Sequence, residues 1–428
     1  MQLGISKSVS KKQKESALIM RKQTKIAAVV SAAALLALGA SMTSFAASKG
    51  TWMMVDGEWY CYDKNGDAYT NVFCSSNGKE YYVGDDGQLV RSEWVEYDGS
   101  YYFVNSSGAK ITNDWRLTTP YDDDSADEDE YWYYLKKITG KPATGKQSNI
   151  NGQIYLFNNE GQMQHGWVAA TDTNGAKFVQ LDKEDDEKSM SAAGNAAVYY
   201  CGDEDDGHAK KNKWIKTWLP NDTNEEEDDK EWFWFDKNGK LYRASESDAI
   251  DARKYKLEEG KLAKDYNKIV SVGKKKVNSK DYWFTTDGVM LSKFYLIDDN
   301  MYYFGGSDDG SMKTGSQSIK DNTGDTYKFY FYTKDTYGYK KGAGVVGNQS
   351  NKLYYYGLLL TANDYKYQVA NVGGYDFIIN SNGSIQHSYG ATYKEDGDEL
   401  VVGDQIKYDK DGNYVSGTAE YVADGQYK

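Results

Sequence analysis

An all-β fold is what this 428-residue sequence predicts: an elongated solenoid of stacked β-hairpin repeats behind an N-terminal signal peptide. Three observations carry the prediction. Tyrosine and glycine are abundant, at 39 and 42 residues, while proline is held to 3. Short aromatic runs recur with a Gly seven positions after the first residue of the run. A further aromatic often stands seven positions before the run. Aromatic segments broken by Gly and by Asn/Asp turns describe strands and tight connections. A chain of this length would ordinarily hold two or three domains, but a repeat array does not obey that count.

The first element is the leader. Arg21, Lys22 and Lys25 flank an apolar stretch from Ile26 to about Phe45, which closes on Ser44-Phe45-Ala46. A basic start, an apolar middle and a small-x-small exit describe a secretory signal. An uncleaved anchor is the other reading, since the run is near the ~20 residues that span a bilayer. Met20 stands directly before the basic flank, so it is an alternative start. Without residues 1–46 the chain carries 44 basic and 63 acidic residues, a net charge of −19. Phosphate backbones repel such a chain, which excludes nucleic acid as a partner. Anionic lipid is disfavoured likewise, and the mature chain has no second apolar run long enough for a membrane span.

The repeats come next. Trp59 to Gly66, Tyr101 to Gly108 and Trp232 to Gly239 are the clearest copies. Glu80 to Gly87, Ile154 to Gly161, Asp281 to Gly288, Asp376 to Gly383 and Gln405 to Gly412 keep the spacing. Asn-Gly or Asp-Gly between apolar runs signals a tight hairpin, because both turn residues need positive φ. Each copy therefore reads as one hairpin. Upstream, Trp52 precedes Trp59, Phe73 precedes Glu80, Trp94 precedes Tyr101 and Phe294 precedes Met301, each by seven. A short turn, Asp56-Gly57, Asn77-Gly78 or Asp98-Gly99, falls between the members of each of the first three pairs. One hairpin is marginal alone, so the units must stack. Alternation such as Trp59/Cys61 against Tyr60/Tyr62 would send one set of side chains inward and the other outward.

Acidic insertions interrupt several copies, notably Tyr121 to Glu130, Lys183 to Lys188, Asp203 to Asp206 and Asn224 to Glu231. They read as solvated loops leaving hairpin turns. Calcium binding is the alternative, although no stretch has the spacing of a calcium loop. Trp218 and Trp232, 14 apart, fit the seven-residue spacing plus an insertion of seven. Residues 245–264 are charged and nearly free of aromatics; ten of the eleven Trp precede them. The chain thus divides into a leader (1–46), a Trp-rich array (47–245) and a Tyr-rich array (246–428). Cys61, Cys74 and Cys201 are too few for a disulfide framework. Cys61 and Cys74 are either small buried apolar residues or a bonded pair favoured by export.

The unit resembles the cell-wall-binding repeat of the choline-binding and glucan-binding families of Gram-positive bacteria. Gly166-Trp167 matches the family's Gly-Trp opening. Trp59 and Trp232 match the Trp that starts its aromatic run, and Tyr101 stands in for it. The likeness spreads, with decay, over residues 50–415. It implies a superhelix of hairpins with ligand sites between successive units, where rings enclose a choline headgroup or stack on sugars. Cation–π attraction holds a quaternary ammonium without a counter-charge. The candidate ligand-binding residues are Trp52, Trp59, Trp94, Tyr101, Trp115, Trp132, Trp167, Trp214, Trp218, Trp232 and Trp234. For any one of them, core packing is the competing role. Only Trp52 with Trp59 places Trp at both family positions at the regular spacing. The expected partner is therefore a cell-wall polymer or glycan, with choline-decorated teichoic acid as one form, and many weak sites would add by avidity.

No catalytic or cofactor constellation emerges. His165, His208 and His387 are scattered, and no Gly-x-Ser-x-Gly elbow occurs. Gly140 to Lys146 approaches a phosphate loop, but Gln147 stands where Ser or Thr is needed. A secreted, non-catalytic protein held non-covalently on the wall is the expectation. A host-facing carbohydrate-binding adhesin or toxin-like array is the alternative, and a wall hydrolase ranks behind both.

Overall fold

The structure, a computed structural model, describes residues 50–121, 129–172, 175–181, 190, 193–220, 229–336, 338–362, 366–386, 392–395 and 398–401. The segment expected to be a signal peptide, the copy from Gln405 to Gly412, His387 and most of the acidic insertions lie outside the described residues. Regular structure among the described residues is β throughout, and no helix there is long and apolar enough to cross a membrane. The chain forms two compact units, residues 1–181 with 200–210 and residues 182–199 with 211–428.

In the first unit the hairpins follow chain order. They are β1 (Thr51–Val55) with β2 (Glu58–Tyr62), and β3 (Val72–Ser76) with β4 (Lys79–Val83). Next come β5 (Glu93–Tyr97) with β6 (Ser100–Val104), and β7 (Asp114–Thr118) with β8 (Tyr131–Leu135). Then follow β9 (Gly145–Ile150) with β10 (Gln153–Phe157), and β11 (Trp167–Ala170) with β12 (Phe178–Gln180). β13 (Val198–Tyr200) spans the boundary between the units. The second unit contains the hairpin of β14 (Lys213–Thr217) and β15 (Glu231–Phe235). β16 (Ile250–Glu258), β17 (Lys261–Val277), β18 (Lys280–Thr285), β19 (Phe294–Ile297) and β20 (Asn300–Tyr303) form a five-stranded sheet. A second five-stranded sheet holds β21 (Gly315–Lys320), β22 (Thr326–Phe331), β23 (Gly347–Gln349), β24 (Lys352–Tyr355) and β25 (Leu358–Leu359). β26 (Tyr367–Val372), β27 (Tyr375–Asn380) and β28 (Ile385–Gln386) follow. The charged stretch of residues 250–277, poor in aromatics, supplies the two long strands β16 and β17.

Two local expectations change. The tight turn of the first three hairpins is the upstream short turn alone, not the Asn-Gly at the end of the aromatic run. There Asp56 and Gly57 have φ of 51° and 91°, Asn77 and Gly78 51° and 71°, Asp98 and Gly99 51° and 62°. Positive φ at both residues matches the right-handed twist of the flanking strands. After the run, a side chain closes a wider loop. Asp63 Oδ1 accepts from the Asn65 and Asp67 N–H groups at 2.8 and 2.9 Å, and only Gly66 of the Asn-Gly pair has positive φ. Asn105 and Asp236 act in the same way. The loop turns the chain back as a third short segment, as in the Tyr62–Ala68 and Val83–Leu89 bridges.

The second change concerns faces. Alternation holds along the run, but both faces are covered. On β6, Tyr102 and Val104 pack with Val95 of the same hairpin and with Phe73 and Tyr82 of the preceding one, whereas Phe103 packs with Tyr133 and Leu135 of the following one. A hairpin inside a stack has a neighbour on each side, so neither face is left wholly open to water. Backbone bonds link the stack as well. The first residue of a run accepts at its carbonyl from a later loop: Leu89 N–H to Trp59 at 2.8 Å, Lys110 to Glu80 at 2.7 Å, Met163 to Trp132 and Met290 to Trp232 at 2.9 Å.

Candidate functional site

The stacking creates a seam wherever the opening aromatic of one hairpin, the first ring of its run and a ring of the next hairpin converge. In the first unit, Trp115 on β7 lies in register with Tyr134, and Leu117 with Trp132. Trp115 meets Trp132 edge-on at 6.4 Å between centroids, Tyr155 at 4.8 Å and Phe157 at 5.8 Å. Trp115, Trp132 and Tyr155 are half-buried around the buried Phe157 and Met163. The Trp132 Nε1–H points to Asp205 Oδ1 at a long 3.4 Å.

The second unit builds the same arrangement. Trp214 lies opposite Trp234 and Lys216 opposite Trp232. Trp214 meets Trp234 at 5.2 Å, Tyr282 at 4.9 Å and Phe284 at 5.8 Å, with Met290 in the same cluster. Trp232 Nε1 donates to Asp308 Oδ1 at 2.8 Å. The loops carrying these carboxylates match as well. A Cβ on Gly207 would lie 2.2 Å from Met163 Sδ, and one on Gly310 2.1 Å from Met290 Sδ, so each loop presses on the methionine of its seam. Asp206 binds Lys210 and His208, as Asp309 binds Lys313 and Ser311. Partial burial pushes both carboxyls up, but these partners outweigh it and hold them below the ordinary range. Burial first, and then Asp206 or Asp309, raises the Tyr155 and Tyr282 phenols, so both rings stay neutral.

The other candidates sort by what fills their seam. Trp52 reaches Tyr81 at 5.8 Å, and the half-buried Trp59 on the partner strand has Met54 opposite it. Trp94 and Tyr101 are closed by the chain itself: Tyr121 stacks on Tyr101 at 4.1 Å and meets Trp94 at 5.2 Å. The Trp94 indole donates to Thr119 O at 3.0 Å. At the seam with Phe73 as opening aromatic, Lys110 places its ammonium 5.0 Å from the Phe73 ring centre and 5.1 Å from that of Tyr102, and it pairs with Glu80. Trp167 and Trp234, 7% and 8% exposed, are packing residues. Trp218 does not open the Trp232 hairpin; Trp214 does, and Lys230 lies 4.2 Å from the centre of the Trp218 ring.

Sequence spacing alone missed Tyr155, Tyr282, Met163, Met290, Asp205 and Asp308. The Trp115–Trp132 and Trp214–Trp232 pairs were hidden because acidic insertions replace the two-residue turn of their hairpins; Thr118 pairs with Tyr131 and Thr217 with Glu231 on either side of them. An available signal was the shared Asp-Asp-Gly-x-x-Lys of residues 205–210 and 308–313.

Chemistry elsewhere is structural. His208 belongs to the salt-bridged loop whose counterpart uses Ser311, and burial lowers the His165 pKa. Gly145 begins strand β9, so residues 140–146 lead into a strand and not the helix a phosphate loop requires. Cys61 and Cys74 are free, buried beside each other and part of one apolar cluster with Val83. No group of three or more His, Cys, Asp and Glu among the described residues has the geometry to hold a metal.

No protein-family model matches the sequence, and no curated protein sequence matches it. Solved structures do. The modular autolysin LytC from Streptococcus pneumoniae is 17% identical, with a TM-score of 0.38; the match covers 78% of this chain, which spans 52% of the LytC chain. The choline-binding domain of CbpL from the same organism is 19% identical at a TM-score of 0.34, over 62% of this chain and 98% of that domain. Choline binding protein F, solved in the presence of a peptidoglycan analogue, is 17% identical at a TM-score of 0.28, over 79% of this chain and 99% of its own. An alternansucrase in complex with isomaltononaose is also similar, 16% identical at a TM-score of 0.18, over 64% of this chain and 20% of its own.

Proposed function

We propose that this protein binds a cell-wall polymer through its aromatic seams, holding quaternary ammonium groups on that polymer, and that it does so without chemistry of its own. The observation that carries the reading is the recurrence of one seam in both units. Trp115, Trp132, Tyr155 and Met163 in the first correspond to Trp214, Trp232, Tyr282 and Met290 in the second. Core packing alone requires apolar volume; it does not require two half-exposed indoles beside one cluster, with an indole N–H directed at a carboxylate in both places. Two or three ring faces around an ammonium supply about 2 kcal/mol or more when the site is desolvated. A sugar ring lying on one indole face is compatible with the same geometry. Retention on the wall would be non-covalent and would grow with the number of seams engaged.

The test is a titration of the full chain with choline chloride, followed by tryptophan fluorescence, beside sedimentation with purified choline-bearing and choline-free wall. Saturable emission changes and co-sedimentation with choline-bearing wall alone are expected. Equal sedimentation with choline-free wall and no response to choline would transfer the reading to the glycan; no sedimentation with either wall would remove it.

A further inference from the structure

The two matching seams differ at one position that decides what can enter. The residue opposite the run-opening indole stands at the mouth of each: Leu117 opposite Trp132, and Lys216 opposite Trp232. Leu117 is 41% exposed. Lys216 sends its ammonium to 5.9 Å from the centre of the Trp232 ring and 2.8 Å from Asp308 Oδ1, the oxygen that also accepts the indole N–H. The Lys216 ammonium, and after it the Trp232 indole, hold the Asp308 carboxyl below its ordinary range. An ammonium against an indole face and beside a carboxylate is the arrangement an alkylammonium ligand would adopt there. Elsewhere in the chain the same substitution is complete: Lys110 rests between Phe73 and Tyr102 and pairs with Glu80, whose carbonyl accepts its N–H.

We propose that Lys216 is a built-in competitor, so that a small quaternary ammonium enters the Trp115–Trp132 seam and is kept out of the Trp214–Trp232 seam. This rests on the reading of the seams as ammonium sites. An incoming cation at Trp232 must displace a tethered one, whose effective concentration is millimolar or higher. It also meets like charge at the mouth. At Trp132 the carboxylate of Asp205 is present, and the facing residue is uncharged. Met54, opposite Trp59, likewise leaves the Trp52–Trp59 seam without a lysine at this position. The two units therefore differ in which ligand form they accept. Occupation of the Trp214–Trp232 seam demands a ligand that outcompetes Lys216, as a multivalent polymer does more readily than free choline.

The experiment exchanges the two residues in the full chain. Equilibrium dialysis with labelled choline counts sites in the wild type, Lys216→Leu and Leu117→Lys, and Lys216→Met serves as a second opening variant should the first fail to fold. Both positions are on exposed edges, and thermal melts check the fold. The opening variants should bind one more choline per chain, and Leu117→Lys one fewer. Nuclear magnetic resonance gives a readout that needs no ligand: the Lys216 side-chain protons should be shifted upfield by the indole ring current, and Trp232→Leu should abolish that shift. If the wild type binds choline but neither opening variant binds more, or if the Lys216 protons are unshifted, the competitor role is overturned while the ammonium reading stands. If no protein binds choline, both fall together.

Discussion

The individual ring decides whether a seam can act. Trp132 and Trp232 start their runs and remain half-exposed, while Trp234, one pleat further along β15, is buried. Trp132→Ala should weaken choline binding in fluorescence titrations by roughly tenfold or more, the size of one desolvated cation–π contact. Trp132→Phe keeps a ring face and should retain most of it. A result in which both variants bind like wild type would show that this ring only packs. The carboxylates give a separate prediction. Asp206 and Asp309 are held below the ordinary 3.8 by Lys210 with His208 and by Lys313 with Ser311. A folded carboxyl with a depressed pKa contributes stability above the unfolded pKa and loses it as pH falls through the folded value. The melting temperature should therefore fall as the pH drops below about 5 and on through the folded values, which lie below 3.8. Lys210→Met should reduce that fall and lower the melting temperature at neutral pH; an unchanged acid slope would show that the Asp206 pair contributes nothing measurable.

At the scale of one hairpin, two glycines separate conformation from packing. Gly57 lies at φ 91° with open space around an added Cβ, so Gly57→Ala should cost only the left-handed conformation, about 1–2 kcal/mol. Gly108 lies at φ 79°, and a Cβ there would stand 2.6 Å from Leu89 Cδ1 and 2.9 Å from Val90 O. Gly108→Ala should cost clearly more, because the loop of one unit presses on the preceding one. Chemical denaturation of both variants measures the difference, and equal losses would mean that the units do not press together there. The motif Gly and the turn Gly were both legible as repeat features. The role of the motif Gly was not, because Asp63, Asn105 and Asp236 close the wider loop by accepting bonds from residues two and four positions on. The same eight-residue spacing arises from that loop or from a hairpin turn.

Across the molecule, the proposed binding would depend on how many seams act together. A chain ending at residue 245 retains Trp52, Trp59, Trp115, Trp132 and Tyr155 but lacks the Tyr282 and Met290 that complete the Trp214–Trp232 seam. Residues 47–245 should therefore hold choline-bearing wall, and release from it should occur at lower free choline than release of the full chain. Avidity amplifies each added site, by as much as 10²–10⁴ for well-spaced linked contacts. Equal release concentrations for the two would indicate that the second unit supplies no site. The tryptophans of the first proposed seams were legible from tryptophan content. The role of Tyr282 was not, because it lies 68 residues beyond Trp214 and meets it only after the two long strands β16 and β17 intervene.

Composition, turn chemistry and period were sufficient to specify β-hairpins that stack, because aromatic strands with Gly and Asx connections have few other ways to bury their rings. The tertiary structure alone decided which rings remain at the surface, which are closed by Tyr121 or Lys110, and which pair across an insertion. Periodicity places a side chain on a face of its own strand. What covers that face is set by a neighbour distant in sequence, and at Trp132 and Trp232 the difference comes down to a leucine or a lysine at the mouth of the seam.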